Sequence, residues 1–190
     1  MKKRVSILFF ALFLAAFSPS VFGGEASEPI LEKTLIAWVS PETLNQSGGS
    51  VLTLNNLAVD QFDGIIFAEL TPQVWMPGSN FFTRTNREQA DWPKETASNG
   101  QFVQMAVVYA KNEITVYRNG EVYARYPVDN LVSFSADDSV VLFGQRHYHK
   151  SEGFFYGKIR DARIYATALD QATITAMKPG AAVSGVEAWA

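Results

Sequence analysis

From about residue 34 to residue 165 the chain alternates short apolar runs with turn residues, which is the texture of an all-β protein. Runs at 34–39, 50–55, 64–69 and 73–76 are rich in branched and aromatic residues and stop at Gly, Pro or Asn, so each predicts a short strand. Two stronger runs follow at 101–110 and 113–118. Asn119-Gly120 then supplies the positive φ of a type I′ turn and predicts a hairpin returning from Glu121 to about Val128. Within it Ile114 and Val116 share one face and Thr115 and Tyr117 the other, a half-buried alternation. Strands at 139–144 and 154–165 close the pattern, with a loop at 145–153. The last strand does not keep one phase. Ala162 and Ile164 share a face, Ile159 and Tyr165 lie on the other, and Lys158, Arg160, Asp161 and Arg163 interrupt both. Either a bulge near Arg160 shifts the phase, or the charges pair at the rim of the sheet. Asp170 is the expected N-cap of a short helical turn with Ile174 and Met177 on one face, ended by Lys178-Pro179-Gly180.

One stretch breaks the rhythm. Residues 77–100 carry Arg84, Arg87, Glu88, Asp91, Lys94 and Glu95 around Phe81, Phe82 and Trp92. Unstructured connections of that length are uncommon in compact domains and tend to be functional or mobile, so this reads as the main variable loop.

Residues 157–169, G-K-I-R-D-A-R-I-Y-A-T-A-L, resemble the end of laminin G-like modules in the concanavalin A-like lectin/glucanase superfamily. Leu35-Ile36-Ala37-Trp38-Val39-Ser40-Pro41 looks like the family's early "aWV-P" strand, and Tyr117-Arg118-Asn119-Gly120-Glu121-Val122 like one of its hairpins. The resemblance covers roughly residues 31–177. It implies a jelly-roll sandwich of two antiparallel sheets with a short C-terminal helical turn, in an exported protein that binds carbohydrate or protein. It implies no reaction. Such modules usually begin with a strand ahead of the "aWV-P" strand, and here few residues precede Thr34, so one sheet edge is expected to lack a partner.

The N-terminus reads as an export signal. Lys2, Lys3 and Arg4 precede an apolar run over 5–17 and then Ser18-Pro19-Ser20, with cleavage after Gly23 or, alternatively, after Ala26. The run is shorter than the ~20 residues of a membrane span, which argues against an uncleaved anchor. Loss of residues 1–23 from the 190 leaves 167, enough for one sandwich at 24–180 and a tail at 181–190. It also removes three positive charges from a net −3, giving −6, which disfavours nucleic acid and acidic membranes as partners. With no cysteine there is no disulfide, and stability has to come from buried area or a bound ion. A chain that is 47% apolar and 13% aromatic can supply the area. No other segment is long and apolar enough to cross a bilayer, and the expected location is secreted or periplasmic.

Catalysis, where the resembled superfamily has it, uses a retaining pair of carboxylates on one strand, E-x-D-x-x-E, about 5 Å apart. No such string occurs. Glu88 to Glu95 comes nearest, but the spacing does not alternate in register and Pro93 disrupts a central strand. A nucleophile elbow and a phosphate-binding glycine loop are also missing. His147 and His149, the only histidines, would share a face of an extended segment. Flanking Arg146 and Lys150 repel a cation and no third ligand is close in sequence, so zinc or copper is disfavoured. Arg146, His147 and Tyr148 instead offer hydrogen bonds and a stacking face to a sugar or peptide. Trp38 lies within a strand and reads as core. Trp75 and Trp92 are the surface candidates for stacking on a pyranose, against the commoner outcome of indoles packed on their own loop. Some modules of the resembled family hold a calcium ion at the rim, and Asp60, Asp63, Asp137 and Asp138 are the residues beside turns that a structural calcium would use.

The expected function is therefore a non-catalytic module for polysaccharide, glycan or extracellular protein, using loops 77–100 and 145–153. The alternatives are an appendage of a secreted glycoside hydrolase and, third, a small glucanase. The terminal Val186-Glu187-Ala188-Trp189-Ala190 is expected to cap the sandwich or to lead into a following domain.

Overall fold

A computed structural model describes residues 28–59, 61–97 and 99–190. The expected export signal lies outside the described residues. Nine strands and one helix follow in chain order: β1 (Lys33–Pro41), β2 (Gly49–Asn56), β3 (Gln61–Phe67), β4 (Trp75–Ser79), β5 (Val103–Ala110), β6 (Glu113–Arg118), β7 (Glu121–Pro127), β8 (Ser139–Phe143), β9 (Gly157–Tyr165) and α1 (Gln171–Ala176). They form a five-stranded sheet in the order β7-β6-β5-β1-β9 and a four-stranded sheet in the order β4-β3-β2-β8. All pairings between these strands are antiparallel. This is a jelly-roll sandwich, and every predicted strand is present within a few residues of its expected bounds.

Alternate residues of each strand enter the space between the sheets. Leu35, Ala37, Val39, Met105, Val107 and Ile114 meet Leu52, Leu54, Ile65, Phe67 and Trp75 in one continuous core. Burying side chains of this size contributes about 1.5–3 kcal/mol each, the term that replaces absent disulfides. The phase break in β9 is a bulge. Trp38 pairs with Asp161 and Val39 with Ile159, leaving Arg160 as the extra residue. The slip returns Ile159 to the core face with Ala162 and Ile164, correcting the plain alternation that put it with Tyr165. Charge pairing occurs as well, since Arg163 binds Asp161 through its guanidinium.

The half-buried alternation of β6 does not hold, because Thr115 and Tyr117 are buried too. The outer face of the five-stranded sheet is covered by α1 and its flanks: Ile174, Met177 and Leu169 pack on Ile36, Trp38, Val108 and Tyr117. Asp170 caps α1 by accepting the Thr173 N–H at 2.7 Å, as its type predicts. The hairpin turn fits beneath, with Asn119 at φ 53° and Gly120 at φ 82°. A side chain at Gly120 would strike Thr175 at 2.5 Å, so glycine serves both the turn and the helix contact. The tail lies at the free edge of β9. Val183 and Val186 join the outer cluster, Trp189 packs on the core, and Ile164 exchanges backbone hydrogen bonds with Trp189 and Ala190. It caps that edge through one residue's backbone, without forming a strand.

Candidate functional site

The two loops expected to carry binding behave differently. Residues 83–97 turn inward and close the edge between β4 and β7. Glu95 is buried and accepts from five donors: Trp75 Nε1 at 2.7 Å, Arg118 Nε at 3.0 Å and Nη2 at 2.7 Å, and the backbone N–H groups of Thr96 and Ala97. Burial alone would raise its carboxyl, but the bonds from Arg118, Ala97 and Trp75 outweigh this and hold it below its ordinary value of 4.5. Tyr123 and Tyr126 on β7 donate to Pro93 O and Arg84 O. Burial pushes the Tyr123 phenol up to about 12, so it stays a donor.

Trp75, expected as a surface stacker, is corrected by this arrangement. Its ring is fully buried, tilted 4.5 Å from Phe67, because the inward face of β4 points it between the sheets. Trp92 is half-buried, edge-on to Tyr123 at 6.1 Å and tilted over Tyr126 at 6.0 Å. It packs against the core at the edge that the loop closes. Glu95, the last carboxylate of the nearest glycosidase-like string, is saturated by structural donors.

Asp63 is likewise corrected as a cation ligand. It is fully buried and paired with Lys33 Nζ at 3.0 Å and Arg84 Nη2 at 2.8 Å, so its charge is already neutralised. Lys33 on β1 and Asp63 on β3 belong to opposite sheets, which makes the pair a clasp across the sandwich. The ammonium also donates to Leu31 O and Val132 O, each at 3.0 Å. Burial pushes Lys33 below its usual value, with Asp63 opposing and Arg84 adding to the fall. Asp137 and Asp138 sit in an exposed 3₁₀ turn capped by Ser135, and Asp60 lies outside the described residues. Among the described residues no three His, Cys, Asp or Glu side chains converge as a metal site.

The loop at 145–153 lies over the outer face of the four-stranded sheet. Gln145 donates to the carbonyls of His147 and Lys150 and so holds the turn. Arg146 pairs with Glu69, and Gly153 at φ 72° lets the chain pass it. The His147 ring stands edge-on to Phe62 at 4.8 Å. Tyr148 donates its N–H to Asn55 Oδ1 at 3.3 Å and its side chain is exposed. His149 has φ 65°, which breaks the extended geometry expected to align the two histidines. Its ring instead contacts that of Tyr148 at 3.7 Å.

Arg146, His147 and Lys150 form one wall of a cleft of about 210 Å³, and Asn80, Phe81 and Phe82 form the other, with Phe62 and Glu69 between them. Phe81 and Phe82, loop residues by sequence, line this cleft without having been singled out by the sequence pattern. Both have left-handed backbone, φ 50° and 58°, and Phe81 is 85% exposed. An aromatic residue in that region costs about 1–2 kcal/mol, and such strain collects at functional sites. Aromatics beside an Asn and two basic residues were the available signal. Their backbone conformation was not legible.

Fold and cleft together define a two-sheet jelly roll with a loop-built surface site. The chain belongs to the concanavalin A-like lectin/glucanase superfamily, whose laminin G-like family model matches residues 27–175. No curated protein matches it significantly. Among solved structures, a Bacteroides ovatus protein described as carbohydrate-binding is similar at TM-score 0.60 and 14% identity, over 78% of this chain and 41% of that one. Domain 4 of AbnA, an extracellular arabinanase from Geobacillus stearothermophilus, in complex with arabinotriose, is similar at TM-score 0.56 and 20% identity, over 78% of this chain and 66% of that one. Trypanosoma rangeli sialidase follows at TM-score 0.54 and 14% identity, over 76% and 22%. The chain thus spans less than two thirds of each, and at these identities the likeness is one of fold. No helix among the described residues is long and apolar enough to cross a membrane.

Proposed function

We propose that this is an exported, non-catalytic carbohydrate-binding module, spanning residues 24–180 after removal of a signal at 1–23, and that it takes a glycan in the cleft between Phe81 and the 146–150 loop. The observation that carries the reading is Phe81, held open to solvent on strained backbone at the mouth of a cleft lined by Asn80, Arg146 and His147. A flat apolar ring beside amide, guanidinium and imidazole groups suits the apolar face and hydroxyls of a sugar. The superfamily and the carbohydrate-binding neighbours support the same class of ligand.

A glycan array probed with the wild-type chain and with Phe81→Ala and His147→Ala tests this. Binding that falls at least tenfold in both variants is expected, and unchanged binding in both would remove the cleft from the site. A second reading, an appendage of a secreted glycoside hydrolase, is favoured by the likeness to a domain of an arabinanase. An open frame running past Ala190 into a hydrolase domain would support it.

A further inference from the structure

The cleft has a neighbour on the same face. A second recess of about 240 Å³ is lined by Asn55, Asn56, Leu57, Tyr148 and His149. Its wall is the contacting Tyr148 and His149 pair, which the positive φ of His149 brings together where an extended chain would separate them. Leu57 is half exposed beside it. The Asn55 amide is spent on structure, accepting from Tyr148 N–H and donating to the Asn56 carbonyl. Asn56 differs. Its Oδ1 accepts from the N–H groups of Ala58 and Val59, while its Nδ2 makes no hydrogen bond among the described residues. An aromatic wall, an apolar neighbour and an available amide donor repeat the chemistry of the first cleft with different residues.

The register relates the two. Asn55 on β2 is the direct partner of Phe62 on β3. Phe62 lines the first cleft and Asn55 the second. Neighbouring strands lie about 4.8 Å apart, so the recesses adjoin, with the consecutive residues His147 and Tyr148 lining one each. We infer that they are consecutive subsites and that the module recognises a run of at least two sugar units rather than one terminal sugar. This rests on the carbohydrate-binding reading above.

Calorimetric titration with one to four units of arabinose, xylose and glucose, and of the sugar heading the array if that is another, tests it. The wild-type chain should bind two or three units at least tenfold more tightly than one and gain little beyond. Tyr148→Ala should flatten that length dependence, and Asn56→Asp, which keeps the Oδ1 acceptor and removes the Nδ2 donor, should reduce it with no loss of thermal stability. Phe81→Ala should weaken every length alike. A single sugar bound as tightly as four, or Tyr148→Ala weakening all lengths equally, would overturn the two-subsite inference and leave the glycan reading standing. A wild-type chain that binds no glycan on the array would overturn both.

Discussion

Residues 83–97 and 145–153 are both polar and rich in charge, and both follow strands of the four-stranded sheet, yet the first sends Arg84, Gln89 and Glu95 into the interior while none of the second is buried. The difference is where each loop's charged groups find partners. Glu95 reaches Arg118 and Trp75 from the opposite side of a sheet edge, and Arg84 reaches Asp63 in the core, so the first loop is drawn inward by charges that cannot be left unpaired. Arg146 finds Glu69 on the outer surface, and its loop is held there by Gln145 and Asn55, with the Tyr148 and His149 rings exposed. Loop polarity alone does not distinguish a loop that seals an edge from one that stays at the surface.

The contrast can be broken most severely at the clasp. Asp63→Asn removes the one anion between two buried cations and should cost about 3–5 kcal/mol, read by urea denaturation. A cost under about 1 kcal/mol would show that the clasp is not what closes the two sheets. Glu95→Gln should cost about 2–3 kcal/mol at neutral pH, since Arg118 and the indole lose a charged acceptor. Because the Glu95 carboxyl is held below 4.5, its contribution is complete above that value and is lost as pH falls through the lowered one. Acid denaturation of the variant should therefore be shallower than that of the wild-type chain below about pH 4.5, and parallel curves would contradict the assignment.

Trp92→Ala and Phe81→Ala set the two loops against each other. The first should lower stability by about 2 kcal/mol through lost packing on Tyr123 and Tyr126. The second should leave stability within about 0.5 kcal/mol and weaken glycan binding at least tenfold. The reverse pattern would exchange the roles of the loops. Gly153→Ala should cost about 1–2 kcal/mol, because its φ is positive and the new Cβ would meet Arg146 Cβ at 2.7 Å. The displaced Arg146 should weaken binding as well. Phe81→Gly relieves left-handed strain and should raise stability by up to about 1 kcal/mol while weakening binding.

The strands were legible because alternation and turn residues are local signals, and Asn119-Gly120 needed nothing beyond itself. The two candidate readings at Arg160 were also local, and the bulge followed the phase of the apolar residues. Of the five proposed site residues, Arg146, His147 and Tyr148 gather on the outer face, Trp75 is core and Trp92 seals an edge. Trp92 reads as a surface residue from its polar loop and Trp75 from its place beside Met76 and Pro77, but the acceptor that lets Trp75 bury its indole N–H is Glu95, 20 residues away.

By itself, then, the sequence determined the short strands, the hairpin and the helix cap, since each depends on residues within a few positions of one another, while the two-sheet class came from the family resemblance. Tertiary structure alone decided which polar loop entered the interior, that Asp63 would be a clasp, and that Phe81 would stand open beside His147. Those outcomes depend on charges and rings brought together from distant strands, where desolvation penalises every unpaired group and no local pattern records its partner.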